Sequence, residues 1–190
     1  MVINMTEAWT ELENRCKRCK SCELYKTRTN VVFGSGNPDT KIMFIGEGPG
    51  QQEDLTGQAF VGRGGQLLDK FLAAVDLDRE KIYIANMVKC RPPANRDPKA
   101  EETESCIGFL REQVKQIRPA IIVCLGRVSA CRLISPDFKV TRQHGEWFEK
   151  GGIKFMGTFH PAALLRNPNN KPAAFEDFLK IREAIDELNG

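Results

Sequence analysis

The apolar positions of the chain form strand-length runs that are separated by segments with helical spacing. These runs predict strands at residues 41–45, 82–88 and 119–125, and a hairpin of residues 147–149 and 153–155 whose second arm continues to Thr158. Apolar residues three or four positions apart predict helices at residues 7–15, 66–75, 100–117, 127–133 and 173–188. Strands that alternate with helices predict an α/β fold, in which a mainly parallel sheet lies between helical layers.

Two segments between these elements have the character of functional loops. Residues 46–62 form a predicted loop of a length that is usually functional, and residues 91–98 contain three prolines and are predicted to be rigid. In a parallel sheet the ligand site lies at the carboxyl ends of the strands. That rule directs attention to residues 46–50, residues 86–90, Gly126 and His160.

The size and charge of the chain set broad limits on its function. Its 190 residues fit one domain over residues 1–190, and a formal net charge of +3 with a pI of about 8.5 is compatible with a nucleic-acid partner. No apolar run reaches the length of a membrane span, and the first ten residues lack the pattern of a signal peptide. We expect a cytoplasmic protein without a membrane partner, and we take it to be a monomer.

Seven cysteines in a reducing compartment indicate a metal site rather than disulfides. Cys16, Cys19 and Cys22 form a C-x2-C-x2-C run, and Cys90 and Cys106 follow far downstream. Thiolates at such spacing bind an iron–sulfur cluster or zinc, and the spacing by itself leaves both open. The other two cysteines fall within a predicted strand and a predicted helix and are expected to be buried small apolar residues: Cys124 and Cys131.

Three further features are candidates for a binding site. The glycines of residues 46–50 allow close approach to a ligand, although the segment is neither a dinucleotide fingerprint nor a P-loop and also fits a tight turn. Asn86 ends an otherwise apolar strand, where its carboxamide can accept from one ligand atom and donate to the next, or cap a turn. His160 can donate to an oxyanion or be a structural histidine.

Taken in order along the chain, the motifs resemble one family, the family 4 uracil-DNA glycosylases of the iron–sulfur type. The resemblance extends from about Cys19 to Leu188. The matching motifs are CKSCEL at residues 19–24, TRT at 27–29, VFGSGNP at 32–38, GEGPG at 46–50, ED at 53–54, FVG at 60–62, GQLL at 65–68, NMVKCRPP at 86–93, NR at 95–96, LG at 125–126 and FHPA at 159–162.

The resemblance implies a three-layer α/β/α fold with a central four-stranded parallel sheet. It also implies a DNA repair enzyme that flips uracil out of DNA and hydrolyses its N-glycosidic bond, leaving an abasic site. A [4Fe–4S] cluster would be bound by Cys19, Cys22, Cys90 and Cys106, with the part of Cys16 left open by its place in the cysteine run.

The resemblance further implies roles for the residues at the predicted strand ends. Phe60 would stack on uracil, Asn86 would read its edge and His160 would face its O2 atom. Glu47, Gly48 and Glu53 would line the pocket. Because Gly48 stands where other glycosylases carry an aspartate, two alternatives remain: Glu47 positions the attacking water, or the anionic DNA and the uracilate stabilise the sugar cation without a strong base. We favour Glu47. Residues 91–98 contain no histidine of the kind that traps uracil covalently in a related type, so we expect ordinary turnover.

Contacts with DNA are predicted from basic and apolar residues outside the pocket. Residues 161–166 are predicted to be a loop that enters the duplex, with Leu164 or Leu165 as a wedge and Arg166 near a phosphate. Two groups of basic residues are further candidates for phosphate contacts: Lys17, Arg18, Lys20, Lys26 and Arg28, and then Lys89, Arg91 and Arg96. Ala59 stands where proline is common in the family, and Gly64 stands where alanine is common. Neither difference is expected to affect the chemistry.

Two other classes of protein also fit part of the sequence. The cysteines alone fit an iron–sulfur electron carrier or redox sensor, which leaves Asn86, His160 and residues 46–50 without a role. A zinc-stabilised DNA-binding module without catalysis is the other alternative. The colour of the purified protein separates a cluster from zinc.

Overall fold

A computed structural model of the protein describes residues 5–190. Its six strands are β1 (Ser35–Gly36), β2 (Ile42–Gly46), β3 (Tyr83–Asn86), β4 (Ile121–Leu125), β5 (Trp147–Lys150) and β6 (Ile153–Thr158). Its α-helices are α1 (Met5–Arg18), α2 (Gln51–Thr56), α3 (Arg63–Ala74), α4 (Ala100–Ile117), α5 (Arg127–Leu133), α6 (Val140–Gln143), α7 (Pro161–Arg166) and α8 (Lys171–Asn189). Short 3-10 turns occupy Glu23–Lys26, Pro93–Asn95 and Pro168–Asn170.

The strands form a single sheet in the order β1-β3-β2-β4-β6-β5. The four central strands, β3, β2, β4 and β6, are parallel to one another, which confirms the predicted parallel sheet. The two edge strands are antiparallel additions: β5 is the first arm of the predicted hairpin, and the two-residue β1 was not predicted. In the register of β2 with β3, Gly46 lies opposite Asn86, so the two strands end together.

Helices cover both faces of the sheet, and this explains why the two innermost strands, β2 and β4, are apolar and buried at every position. On one face, Phe44 of β2 lies in a buried cluster with Leu68 of α3 and Phe178 of α8. On the other face, Ile45 lies in a second buried cluster with Leu110 of α4. The alternation of neighbouring side chains between these clusters produces the predicted α/β/α layers.

One predicted loop contains a helix. Residues 46–62 were predicted to be irregular throughout, but Gln51–Thr56 form α2. Gly50 is the N-cap of this helix, and Gly57 ends it with a left-handed φ of +75°, a conformation that glycine adopts without strain. The prediction of a continuous loop was therefore wrong. The next helix, α3, also begins three residues earlier than predicted, at Arg63.

The segment predicted to enter DNA as a loop is also helical. His160 is the N-cap of α7, and Pro161 occupies its first turn, where the missing N–H of proline has no helical partner in any case. Leu164 is only 1% exposed and packs in the core with Leu68, so its assignment as a possible DNA wedge was wrong. Leu165 stays partly exposed and Arg166 is exposed. None of the helices between residues 5 and 190 combines the length and apolar composition that crossing a bilayer requires.

Candidate active site

An open cleft of about 870 Å³ lies at the carboxyl edge of the parallel strands. Each central strand supplies a residue at or just beyond its end, as expected for a ligand site in a parallel sheet. These residues are Glu47 after β2, Asn86 at the end of β3, Gly126 after β4 and His160 after β6. The structure thus brings all six predicted pocket residues to one cleft: Glu47, Gly48, Glu53, Phe60, Asn86 and His160.

Asn86 places an unpaired polar atom at the bottom of the cleft. The residue is 2% exposed, and no described residue supplies a hydrogen bond to its Oδ1 atom. Leaving such an atom unpaired costs about 1–3 kcal/mol, which a ligand that donates a hydrogen bond would offset. Gly46 makes room for this arrangement, because a Cβ atom there would lie 2.5 Å from Asn86 Oδ1 and 2.5 Å from Phe60 Cζ.

Phe60 is held in an unusual backbone conformation beside that atom. Its φ of +55° lies in the left-handed region, which costs a non-glycine residue about 1–3 kcal/mol. The guanidinium of Arg79 donates to the Phe60 carbonyl oxygen, and to that of Ala59 at 2.8 Å. The Phe60 ring is 5.7 Å from the His160 ring, centroid to centroid, so both rings border the same part of the cleft.

Glu53 supports the segment that carries Phe60. Its Oε1 atom accepts hydrogen bonds from the backbone N–H groups of Val61 at 2.9 Å and Gly62 at 2.8 Å. One oxygen of this buried carboxylate therefore serves the protein backbone, and Glu53 lines the cleft chiefly as a support for the Phe60 loop.

His160 is fixed as a neutral imidazole. Its Nδ1 atom accepts a hydrogen bond from the backbone N–H of Ala162 at 3.1 Å, which leaves the ring proton on Nε2. Burial, and after it the neighbouring Arg166 guanidinium, lower the pKa of His160 to about 4. Gly126, with a φ of +91°, allows the close approach, since a Cβ atom there would lie 2.9 Å from His160 Cβ.

Burial shifts Glu47, like His160, towards its uncharged form. Burial first, and then the Asp97 carboxylate, raise the pKa of Glu47 to about 7, while Arg127 and Arg166 partly oppose the shift. Arg127 also forms an ion pair with Asp97. The cleft therefore holds an acid that titrates near neutral pH and a histidine that stays uncharged there.

Comparison with known proteins agrees with this geometry. The model of the uracil DNA glycosylase superfamily matches residues 33–182. A type-4 uracil-DNA glycosylase of Archaeoglobus fulgidus is 43% identical over 185 residues, covering 93% of each chain. One from Thermotoga maritima is 44% identical over 180 residues, covering 92% of this chain and 93% of its own. This chain belongs to the type-4 uracil-DNA glycosylases.

The cysteines that the type-4 resemblance implicates lie together. They line a single narrow cavity with Cys16: Cys19, Cys22, Cys90 and Cys106. Two N–H groups point at their sulfur atoms, from Arg28 to Cys90 Sγ at 3.2 Å and from the Lys89 backbone to Cys106 Sγ at 3.3 Å. Within residues 5–190, no three His, Cys, Asp or Glu side chains converge on a position for a single metal ion.

The other two cysteines lie elsewhere. Cys124 is buried in β4 as predicted, whereas Cys131 on α5 is only partly buried. Neither lines the cavity of the other five.

Lys89 was grouped with residues that contact phosphates, and this prediction was wrong. The side chain is 1% exposed, its ammonium donates to Gln113 Oε1 at 2.6 Å, and it lies 5.9 Å from the centre of the Phe33 ring. Burial lowers the pKa of Lys89 to about 8, and the nearby thiols of Cys106 and Cys16 oppose that shift.

Three residues of the site were missed by sequence reasoning. Asp97 lies in the proline-rich loop, and Arg127 directly follows Gly126. Both are charged residues beside strand ends that the sequence did identify, so their position could have marked them as site residues. Arg79 lies in a run of charged residues, and nothing in that run distinguishes it from a surface residue.

Proposed function

We propose that this protein excises uracil from DNA by hydrolysing the N-glycosidic bond. The observation that carries the proposal is the buried, unpaired Asn86 Oδ1 atom beside the Phe60 ring. Uracil offers an N3–H donor next to the O4 acceptor, which match the oxygen and the NH₂ of one carboxamide. Cytosine has an acceptor at N3, so it would leave Asn86 Oδ1 unpaired.

The energetics of base extrusion fit the same residues. Taking a base out of the duplex costs a few kcal/mol. Stacking on an aromatic side chain returns about 1–3 kcal/mol. Phe60 supplies this stacking, and its strained backbone is held in advance by Arg79 and Glu53, so little is spent on ordering the loop when the base arrives.

The departing base is stabilised by His160. When the C1′–N1 bond breaks, its electron pair moves onto uracil and negative charge builds at O2. The Nε2–H group of the neutral imidazole donates to that oxygen, and one such donor is typically worth about 3–4 kcal/mol. The lowered pKa of His160 keeps it a hydrogen-bond donor that does not have to lose a proton during the reaction.

Glu47 acts on the attacking water. The water oxygen forms the new bond to C1′, and one of the water protons passes to the Glu47 carboxylate. A pKa of about 7 suits this task, because the group is substantially ionised at neutral pH and still basic enough to accept a proton. Gly48 leaves the neighbouring position without a side chain, and a Cβ atom there would lie 2.9 Å from Val88 Cγ2.

We also propose that Cys19, Cys22, Cys90 and Cys106 hold a [4Fe–4S] cluster. Cys22, Cys90 and Cys106 share one apolar cluster, whereas Cys16 packs with Leu12 and Phe33 in another. This difference supports Cys16 as a packing residue. These cysteines would hold the cluster between the N-terminal segment and the loop after Asn86, where it would be a structural link without a redox task in a hydrolysis.

The charge of the surroundings supports a cluster at this cavity. The Lys89 ammonium is buried near Cys106, and the acceptor of its hydrogen bond is the uncharged side chain of Gln113. A buried cation requires compensating negative charge nearby. Four thiolates around a [4Fe–4S] core carry a net negative charge and supply that compensation.

On the DNA side, Leu165 and Arg166 remain the candidates for a wedge and a phosphate contact. Both are at least partly accessible on α7, which borders the cleft. Leu165→Ala should weaken binding to duplex DNA that contains uracil without a large loss of stability. Leu164→Ala should instead lower the melting temperature, because it empties a core position.

The activity is tested on an oligonucleotide that contains one uracil. The purified protein is incubated with it, the product is treated with hot alkali, and strand cleavage is measured on a gel. Cleavage at the uracil, and none in matched oligonucleotides with cytosine or thymine there, is the expected result. If protein with its full iron content cleaves nothing, the proposed activity is overturned. An iron–sulfur redox protein or a DNA-binding module without catalysis would then be the better explanation of the sequence.

A further inference from the structure

Glu47 is surrounded by charges from three separate elements. Asp97 comes from the loop after β3, Arg127 from the first turn of α5 and Arg166 from the last turn of α7. All of them line the same cleft. The Asp97 carboxylate lies near enough to Glu47 to raise its pKa, and Asp97 is in turn ion-paired with Arg127.

The contact between Glu47 and Asp97 has a chemical consequence. Two neighbouring carboxylates in a partly buried cleft repel each other, and the uptake of one proton by the pair relieves that repulsion. The proximity of Asp97 therefore favours the protonated form of Glu47. Because Arg127 is ion-paired with Asp97, the proton that the pair takes up is expected to reside mainly on Glu47.

The loop that carries Asp97 is built to hold this residue in place. The Arg96 guanidinium forms two hydrogen bonds with the Glu102 carboxylate, at 2.8 and 2.6 Å, and a third with the Asp97 carbonyl oxygen at 3.0 Å. Glu102 is itself buried and accepts from the Lys99 N–H at the start of α4 at 2.8 Å. The backbone at Asp97 is thus fixed to α4, although the Asp97 side chain reaches into the cleft.

We propose that Asp97 is a positioning residue for Glu47, and that Asp97 and Arg127 together hold the Glu47 carboxyl group in the place and protonation state from which it serves the attacking water. This inference rests on the proposed uracil excision. It goes beyond that proposal in naming a residue that acts through Glu47.

The arrangement predicts that substitutions of Asp97 and Arg127 shift the pH dependence of the rate in opposite directions. Asp97→Asn removes a negative neighbour and makes ionisation of Glu47 easier, so the acid limb of the pH–rate profile moves to lower pH. Arg127→Gln leaves the charge of Asp97 uncompensated, so the limb moves to higher pH. If Asp97 and Arg127 only stabilised the fold, neither substitution would shift the acid limb of the pH–rate profile. Asp97→Glu keeps the charge and should restore most of the wild-type profile.

The experiment measures single-turnover uracil release between about pH 5 and about pH 9, with enzyme in saturating excess so that DNA affinity does not enter. Asp137→Asn is the control, because it removes the same charge at an exposed position outside the cleft. For each protein, the rate at about pH 5.5 is divided by its own plateau rate at high pH. This ratio should be on the order of fivefold higher in Asp97→Asn than in the wild type. It should fall in Arg127→Gln and stay unchanged in Asp137→Asn.

A second measurement separates this inference from the proposed activity. The carboxyl carbon of Glu47 is titrated by NMR in protein without DNA, with Glu47→Gln used to assign its signal. The same midpoint in wild type and Asp97→Asn overturns the role of Asp97, whether or not uracil is released. A shifted midpoint in a protein that releases no uracil overturns the proposed activity and, with it, the catalytic purpose of the pair.

Discussion

The Nδ1 atom of His160 accepts a hydrogen bond from the backbone N–H of Ala162, 3.1 Å away. This contact makes His160 the N-cap of α7 and at the same time assigns its proton to Nε2. The residue that follows the last strand of the parallel sheet is therefore oriented by the helix it begins. A neutral ring fixed in this way presents one N–H donor, and its orientation is set before any ligand binds.

Removing this donor should slow the chemical step. His160→Ala should reduce the single-turnover rate about 10²–10³-fold, as expected for one lost oxyanion donor. Binding to DNA should change little, which fluorescence anisotropy can measure. His144 is the matched control: it pairs with Asp177 at 3.0 Å and does not line the cleft, so His144→Ala should lower stability more than rate. A His160→Ala rate within threefold of wild type would remove His160 from the mechanism.

The pH dependence should report Glu47 and not His160. Glu47 must be ionised to accept a proton, so the rate should fall as the pH drops below about 7, the pKa of Glu47. His160, with a pKa of about 4, stays neutral across this range and adds no inflection. The acid limb should therefore persist in His160→Ala and disappear in Glu47→Gln. An acid limb that disappears with His160 would reverse the two assignments.

The location of the site could be predicted because its residues are unusual for their positions. An asparagine at the end of an apolar run, a glycine-rich segment and a histidine after the last strand all mark strand ends, and the topology of a parallel sheet places strand ends together. The helical start at His160-Pro161 was also readable, because proline favours the first turn of a helix. With that helix recognised, Pro161 and Leu164, three positions apart, fall on its buried side.

Other features depend on tertiary contacts that no local pattern reports. Lys89 resembles its basic neighbours in sequence, and its burial follows from Gln113, an acceptor on a helix 24 positions further along the chain. The left-handed backbone of Phe60 depends on Arg79, which lies 19 positions further on. The pairing of Glu47 with Asp97 likewise joins two different loops. Such partners are set by packing, so the sequence shows the residues without showing the pairs.

Gly46 should be intolerant of even one methyl group. A Cβ atom in Gly46→Ala would lie 2.5 Å from both Phe60 Cζ and Asn86 Oδ1, so the ring and the carboxamide must move. Overpacking of this kind costs about 1–3 kcal/mol and should lower the uracil excision rate at least tenfold. Gly64→Ala is the control, because its Cβ would make an ordinary 3.5 Å contact with Ala162 N. Equal rates in the two variants would show that the Gly46 contact is unimportant.

Loss of a cysteine ligand should be visible in the spectrum. Cys90→Ala should reduce the iron content and the visible absorbance, and should lower the melting temperature, because the cavity between the N-terminal segment and the loop after Asn86 loses its link. Cys124→Ala removes a thiol from the core of β4 and should keep the absorbance even if stability falls. Full iron content in Cys90→Ala, or its loss in Cys16→Ala with Cys19→Ala unaffected, contradicts the ligand assignment.

Asn86→Asp should test the reading of the base most directly. In the proposed complex, Oδ1 would accept from uracil N3–H and the NH₂ group would donate to O4, and no described residue competes for the buried oxygen. An ionised aspartate presents two acceptors and repels O4, which leaves polar groups unpaired at a cost of about 1–3 kcal/mol each. Uracil excision should therefore fall about 10²–10⁴-fold.

A protonated aspartate at position 86 has the opposite preference. It can donate to cytosine N3 and accept from the cytosine amino group, so weak release of cytosine is expected in Asn86→Asp, faster at low pH because only the protonated form has the required donor. Single-turnover assays with uracil and cytosine oligonucleotides over a range of pH measure both effects. Asn169→Asp adds the same charge at an exposed position outside the cleft and should leave the uracil rate unchanged. Near wild-type uracil excision by Asn86→Asp would mean that Asn86 does not read the base, and the pocket would need another determinant of specificity.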